Sequence, residues 1–168
     1  DGLYLLDKEH GRLIQKIPPL QFNHPFQVRG IVEWQPGHLL LASDEGLTKY
    51  DVTTEKVDVI KADSRHPEGL NDNYLHELFL DRENALWIGT YFGGLNSFDG
   101  KTFKRYQHNA ADSTSLIDDR VWEIFEDSQK RLWVGTLGDG LDLFDRERQV
   151  FKHFRPNAPN SISSDYIS

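Results

Sequence analysis

Residues 86–100, LWIGTYFGGLNSFDG, and residues 132–146, LWVGTLGDGLDLFDR, are two versions of one phrase set 46 residues apart. A repeat of this length constrains a fold more than any composition does. One unit of that size cannot bury its own apolar face, so copies must stack on one another. The glycine-leucine steps Gly2-Leu3, Gly46-Leu47, Gly94-Leu95 and Gly140-Leu141, each followed by an aspartate (Asp7, Asp51, Asp99, Asp145), fit one frame at spacings of 44, 48 and 46. Upstream of that frame, LHELFLD (75–81) returns as VWEIFED (121–127), with VRGIVEW (28–34) as a weaker copy. SISSDYI (161–167) lines up with SLIDDRV (115–121), so a new copy begins where the chain stops.

Each period divides into four short runs punctuated by turn residues, which is the pattern of strands. In the third copy, 121–126, 132–136, 141–144 and 150–154 read as strands, separated by DSQK, LGDG and DRER. No window between these turns has ten residues of helical period free of Gly or Pro. Four strands in a repeat of about 40 to 50 residues predict an all-β fold, a partial β-propeller of consecutive four-stranded antiparallel blades with a period of about 46 residues. The expected divisions are 1–17 (the end of a blade), 25–60 (a divergent blade), 72–106 and 118–154 (blades), and 161–168 (the start of another).

What repeats in every blade serves what every blade needs. Trp87 and Trp133 are expected in the core, and Gly89 and Gly135 are expected to leave room for a bulky residue of the next blade. Gly94 and Gly140 suit a positive φ in the turn between second and third strands. Asp81, Asp127, Asp99 and Asp145 are expected to bond the backbone amides of their own turns rather than to act as catalytic carboxylates.

The motif D-x4-L-W-[IV]-G-T followed by G-L and F-D, at 81–99 and 127–145, together with HNAADSTSLIDDRV (108–121), resembles the two-component regulator propeller repeat. The copy at 39–51, LLLASDEGLTKYD, departs from it, with Leu40 in place of Trp and Ala42-Ser43 in place of Gly-Thr. The resemblance implies a bacterial, periplasmic sensor region of a hybrid two-component system that recognises a carbohydrate or its breakdown product without catalysing its conversion.

The net charge of −8 argues against nucleic acid and anionic membrane surfaces as partners. There is no cysteine, so no disulfide framework or thiolate metal site is possible, and no apolar run approaches the roughly 18 residues of a membrane span. The seven histidines show no metal-ligand spacing, and no phosphate loop or dinucleotide fingerprint appears, so neither metal nor cofactor is expected. His76 reads as a packed, hydrogen-bonded histidine.

Ligand chemistry is therefore sought in what does not repeat. The connections between blades and the turns between second and third strands emerge on one face. They place Asp44-Glu45, Tyr91, Phe92, Leu137, Gly138 and Asp139 near Asn71, Asp72, Asn73, Tyr74, Asp118, Asp119 and Arg120, with His24, Phe26 and Arg29 leading into the first copy. Tyr91, Phe92, Tyr74, Arg120, Asp139, Asn73, Asp119 and Arg29 are the candidate ligand-binding residues, because rings stack on a sugar and the polar groups meet its hydroxyls. Two other classes compete. A scaffold for docking or dimerisation would carry an exposed apolar patch. A propeller lyase or hydrolase would need a converging acid/base pair, for which His108 with Asp112, or His24 with Arg29, are the nearest approach. At about 3.6 periods the chain is too short for a closed ring. Its ends inside strands, and the lack of any methionine, are read as a segment cut from a longer protein. Either the remaining blades or a second copy in a homodimer would close the arc.

Overall fold

The computed structural model describes residues 4–16, 27–156 and 161–167. Gly2, Leu3, His24 and Phe26, named above, lie outside the described residues. Fourteen strands and no helix occur among the described residues. β1 (Tyr4–Asp7) and β2 (Arg12–Lys16) form a hairpin. Three four-stranded antiparallel sheets follow. The first holds β3 (Val28–Gln35), β4 (His38–Ser43), β5 (Gly46–Asp51) and β6 (Val57–Ile60). The second holds β7 (Leu75–Leu80), β8 (Leu86–Thr90), β9 (Leu95–Phe98) and β10 (Phe103–Tyr106). The third holds β11 (Val121–Glu126), β12 (Leu132–Thr136), β13 (Leu141–Asp145) and β14 (Val150–Phe154). Each sheet is an up-and-down meander in chain order, and the three are the consecutive blades of a partial β-propeller. Neighbouring blades meet through β3 and β4 against β7, and through β7 and β8 against β11, so the first strands lie along the inner edge of the arc.

The repeated residues act as the period demands. Asp81 Oδ1 accepts the amides of Glu83 and Ala85, both at 2.9 Å, and Asp127 Oδ1 accepts those of Gln129 and Arg131 at 2.8 and 3.0 Å. Asp51, Asp99 and Asp145 bond the amides of their own turns in the same way. A further role is not legible in the spacing. The second oxygens of Asp81 and Asp127 accept the indole N–H of Trp87 (2.8 Å) and Trp133 (3.1 Å), tying the first hairpin to the second strand. A Cβ on Gly89 would stand 2.8 Å from Val121 Cγ1, and one on Gly135 would stand 2.6 Å from Ile167 Cγ2, so each glycine admits an apolar side chain of the following inner segment.

Trp87 is buried, as expected, but Trp133 is only half-buried. The difference lies in what covers each ring. Phe144 of the third blade packs on Trp87 with centroids 5.2 Å apart, whereas Trp133 meets Phe154 of its own blade and the Arg131 guanidinium.

The two blade interfaces solve one packing problem differently. Between the second and third blades, Arg146 donates to Asp81 Oδ2 (2.7 Å) and Glu126 Oε1 (3.2 Å) and lies over the Trp87 ring. Between the first and second, Leu40 replaces that tryptophan and Gly100 occupies the register of Arg146. Trp34, shifted by an irregularity in β3, turns into the gap against Phe98. A Cβ on Gly100 would stand 2.6 Å from the Trp34 ring. An indole fills the interface in both cases, supplied from different strands.

Candidate ligand-binding site

The connections 61–74 and 107–120 and the turns 91–94 and 137–140 share one face. Tyr91 N donates to Tyr74 O, Leu137 N to Arg120 O, and Gly94 N to Asp119 O, at 2.8 to 3.0 Å. On this frame each blade presents different chemistry.

In the second blade, Asp72 organises an aromatic pair. Its Oδ1 accepts the amide of Tyr74 (3.1 Å) and its Oδ2 that of Phe92 (3.0 Å). The two rings meet edge to face with centroids 6.4 Å apart, and they are 53% and 63% exposed. Leaving that much aromatic surface in water opposes the hydrophobic effect, and the Asp72 bonds hold the pair exposed on the loop face. Tyr91 packs on Phe92 (4.6 Å) and reaches Trp122 (6.0 Å), continuing the aromatic band toward the inner edge. There His76 stacks on Trp122 with centroids 3.5 Å apart, and its Nδ1 lies 3.1 Å from the Trp122 carbonyl oxygen. Burial lowers the His76 pKa, the Trp122 carbonyl opposes that, and Arg29 adds to the lowering. His76 is thus the packed, hydrogen-bonded residue that the sequence suggested.

The third blade offers ions instead. The Arg120 guanidinium pairs with Asp118 and lies 4.0 Å from Asp139. Burial pushes the Asp118 carboxyl up, but Arg120 outweighs it and holds the group below the usual carboxylate range.

Two of the candidate residues turn out to be periodic. Asn73 Oδ1 accepts the amide of Ala62 at 2.7 Å, and Asp119 Oδ1, one period later, accepts that of His108 at 2.6 Å. Both brace the connection that precedes them. Arg29 is exposed and bonds Gln27 Oε1 at 3.1 Å. The geometry therefore brings Tyr74, Tyr91 and Phe92 together, sets Arg120 and Asp139 beside each other, and commits Asn73 and Asp119 to the loops. His108 Nδ1 faces the Leu116 carbonyl and Asp112 caps Thr114, with no bond between His108 and Asp112 among the described residues. His24, the other half of the second acid/base pair, lies outside them.

Sequence reasoning missed the Glu77 and Glu123 pair on β7 and β11. Burial raises the Glu77 carboxyl to about 7, and the charge of Glu123 adds to the rise. A carboxyl whose folded value exceeds its unfolded value stabilises the fold fully below about pH 4.5, and that contribution is lost as pH rises through about 7. Glu77→Gln is expected to exceed the original protein in stability by about 1 kcal/mol at pH 8, after allowance for solvent screening, and by nothing at pH 4.5. Urea unfolding of both proteins across this range checks it; a difference that stays constant with pH refutes it.

The two-component regulator propeller family matches this chain at residues 69–92 and 115–138, which span the loop face and second strands of the second and third blades. Over those residues the second and third blades match that repeat. A stretch of 49 residues, 29% of the chain, is 45% identical to histidine kinase P4 of Formosa agariphila. The extracellular domain of a protein assigned as a hybrid two-component system in B. thetaiotaomicron matches 83% of this chain at 27% identity, with a TM-score of 0.72. The chain spans 4% of the former protein and 20% of the latter. A virginiamycin B lyase from Staphylococcus aureus, solved inactive with quinupristin, covers 90% of this chain and 48% of its own at 15% identity, TM-score 0.62; that likeness is one of fold alone. No helix among the described residues is long and apolar enough to cross a membrane.

Proposed function

We propose that this propeller segment is the non-catalytic, ligand-sensing part of a two-component sensor, located in the periplasm, and that its ligand is a carbohydrate or a carbohydrate breakdown product. The observation that carries the reading is the exposed Tyr74 and Phe92 pair held on one carboxylate, Asp72, and continuous with Tyr91 and Trp122. Aromatic faces, with Arg120 acting on Tyr91 and Asp139 beside Arg120, suit a ring with an apolar face and a hydroxylated rim. Likeness to an extracellular sensor domain supports the sensory role and the location. The engagement of His108 and Asp112 in holding their own connection speaks against the acid/base alternative.

Titration with xylotetraose, mannotetraose and trigalacturonate, followed by tryptophan fluorescence, tests the proposal, since Trp122 borders the site. At least one sugar is expected to bind, and Tyr74→Ala combined with Phe92→Ala to weaken it about tenfold or more. Binding that survives the double change unaltered sinks the reading. A second reading, a scaffold closed by further blades or a second copy, is favoured by an apolar cavity of about 310 Å³ lined by Phe125, Trp133, Leu141 and Ile167. A pure scaffold would leave all three sugars unbound.

A further inference from the structure

The first strands of the three blades carry one irregularity at one register. β3 skips a residue between the pairs Val28↔Ser43 and Gly30↔Ala42, β7 between Leu75↔Thr90 and Glu77↔Gly89, and β11 between Val121↔Thr136 and Glu123↔Gly135. The extra residues are Arg29, His76 and Trp122. A bulge gives up ladder bonds and re-aims a side chain, and such devices gather where strands border binding sites. The position before each bulge is apolar in all three blades, Val28, Leu75 and Val121, with Leu75 and Val121 fully buried. The bulged residue changes chemical class, from guanidinium to imidazole to indole, and the residue after it is Gly30, Glu77 and Glu123. Structural needs shared by all blades select the same residue each time, as the turn aspartates do. A shared backbone device bearing unlike side chains has another purpose.

The three positions are contiguous. His76 stacks on Trp122, Arg29 acts electrostatically on His76, and Tyr91 links Trp122 to the exposed pair at Tyr74 and Phe92. We propose that Arg29, His76 and Trp122 form a ligand-reading row, one side chain per blade along the inner edge of the arc, and that the row takes a neutral, hydroxylated sugar ring. The inference rests on the carbohydrate reading above and deepens it. The ligand class follows from the mixture of charges. Arg29 offers donors at one end, Glu77 and Glu123 offer acceptors one residue further along their strands, and an indole lies between. Hydroxyls satisfy both signs, whereas a polyanion would meet Glu123 with like charge.

The test exchanges the two stacked residues, His76→Trp with Trp122→His. Each already occurs at this register in a neighbouring blade, so the bulge is preserved. Arg29→Gln, on an exposed side chain, is the second variant. Calorimetric titration uses xylotetraose, mannotetraose and trigalacturonate. The unaltered protein is expected to prefer a neutral tetrasaccharide. The exchange is expected to reorder the sugars or weaken the best by about tenfold at an unchanged melting midpoint, and Arg29→Gln to weaken it about fivefold. If both variants keep the original ranking and affinities while the Tyr74 and Phe92 change abolishes binding, the row is overturned and the carbohydrate reading stands. A preference for trigalacturonate overturns the neutral-ring assignment. Failure of the unaltered protein to bind any of the three overturns the carbohydrate reading and the row with it.

Discussion

Arg146→Ala is expected to lower the unfolding free energy by about 3 kcal/mol and the melting midpoint by about 9 °C. Arg146 is the cation that serves two carboxylates at the interface of the second and third blades. Asp81 and Glu126 have side chains 0% and 2% exposed, so removing their shared partner takes from Asp81 its cation and leaves Glu126 with Arg82, 3.8 Å away, on its other oxygen. Asp81 also caps its own turn and holds the Trp87 indole, so its displacement loosens the hairpin and the ring that Phe144 covers. Arg146→Lys should fall between, because an ammonium keeps the charge but presents its donors from one nitrogen, where the guanidinium reaches the two carboxylates from two. Glu126→Gln in the Arg146→Ala background should recover part of the loss by removing one of the two buried charges that Arg146 served. Burial raises the Asp81 carboxyl, but Trp87 and Arg146 outweigh it and hold the group below its ordinary value. That contribution is present above the unfolded pKa and is lost as pH falls through the folded one, so the cost of Arg146→Ala should shrink in acid. A loss under about 1 kcal/mol at pH 7, measured by urea unfolding, would mean that water satisfies both carboxylates.

The residues that every blade shares were legible because they answer to strand period and turn chemistry, which are local. Gly89 and Gly135 were assigned to close approach of the next blade, and Val121 and Ile167 stand there. Trp133 departs from the core position its phrase implies because burial of a second-strand ring depends on the neighbouring blade, and the phrase in which it sits cannot state what packs on it. Trp34 escaped notice for a related reason. An irregularity in β3 shifts it by one residue, so alignment by period places it opposite Asp81 although its ring does the work of Trp87. The candidate site divides along the same line. Asn73 and Asp119 resemble ligand residues in composition but are one period apart and do one job, bonding the amides of Ala62 and His108. A comparison of period positions would have found that signal. The bulges at Arg29, His76 and Trp122 leave no such trace, since a bulge is a relation between two strands and is visible only when both registers are known.

Gly94→Ala is expected to cost about 4 kcal/mol, and it separates two reasons for a glycine in a repeat. Gly94 has φ +83°, where an L-residue is strained, and a Cβ there would overlap the backbone carbonyl oxygen of Tyr106 and stand 3.0 Å from Asp119 Oδ1 and 3.2 Å from Leu116. The carbonyl belongs to the fourth strand of the same blade and cannot move without breaking its ladder. Gly94 N also donates to Asp119 O, so a shift would reach the connection that carries Asp118 and Arg120. Gly11 has φ +63° with nothing within 4 Å of its Cβ position. Gly11→Ala therefore isolates the backbone term and should cost only about 1 kcal/mol. Equal losses in the two variants would assign the recurrence of glycine in this frame to φ alone. The expected threefold or greater difference assigns it to the clash, which seals the loop face of each blade against its own outer strand and fixes where Phe92 and Tyr91 stand.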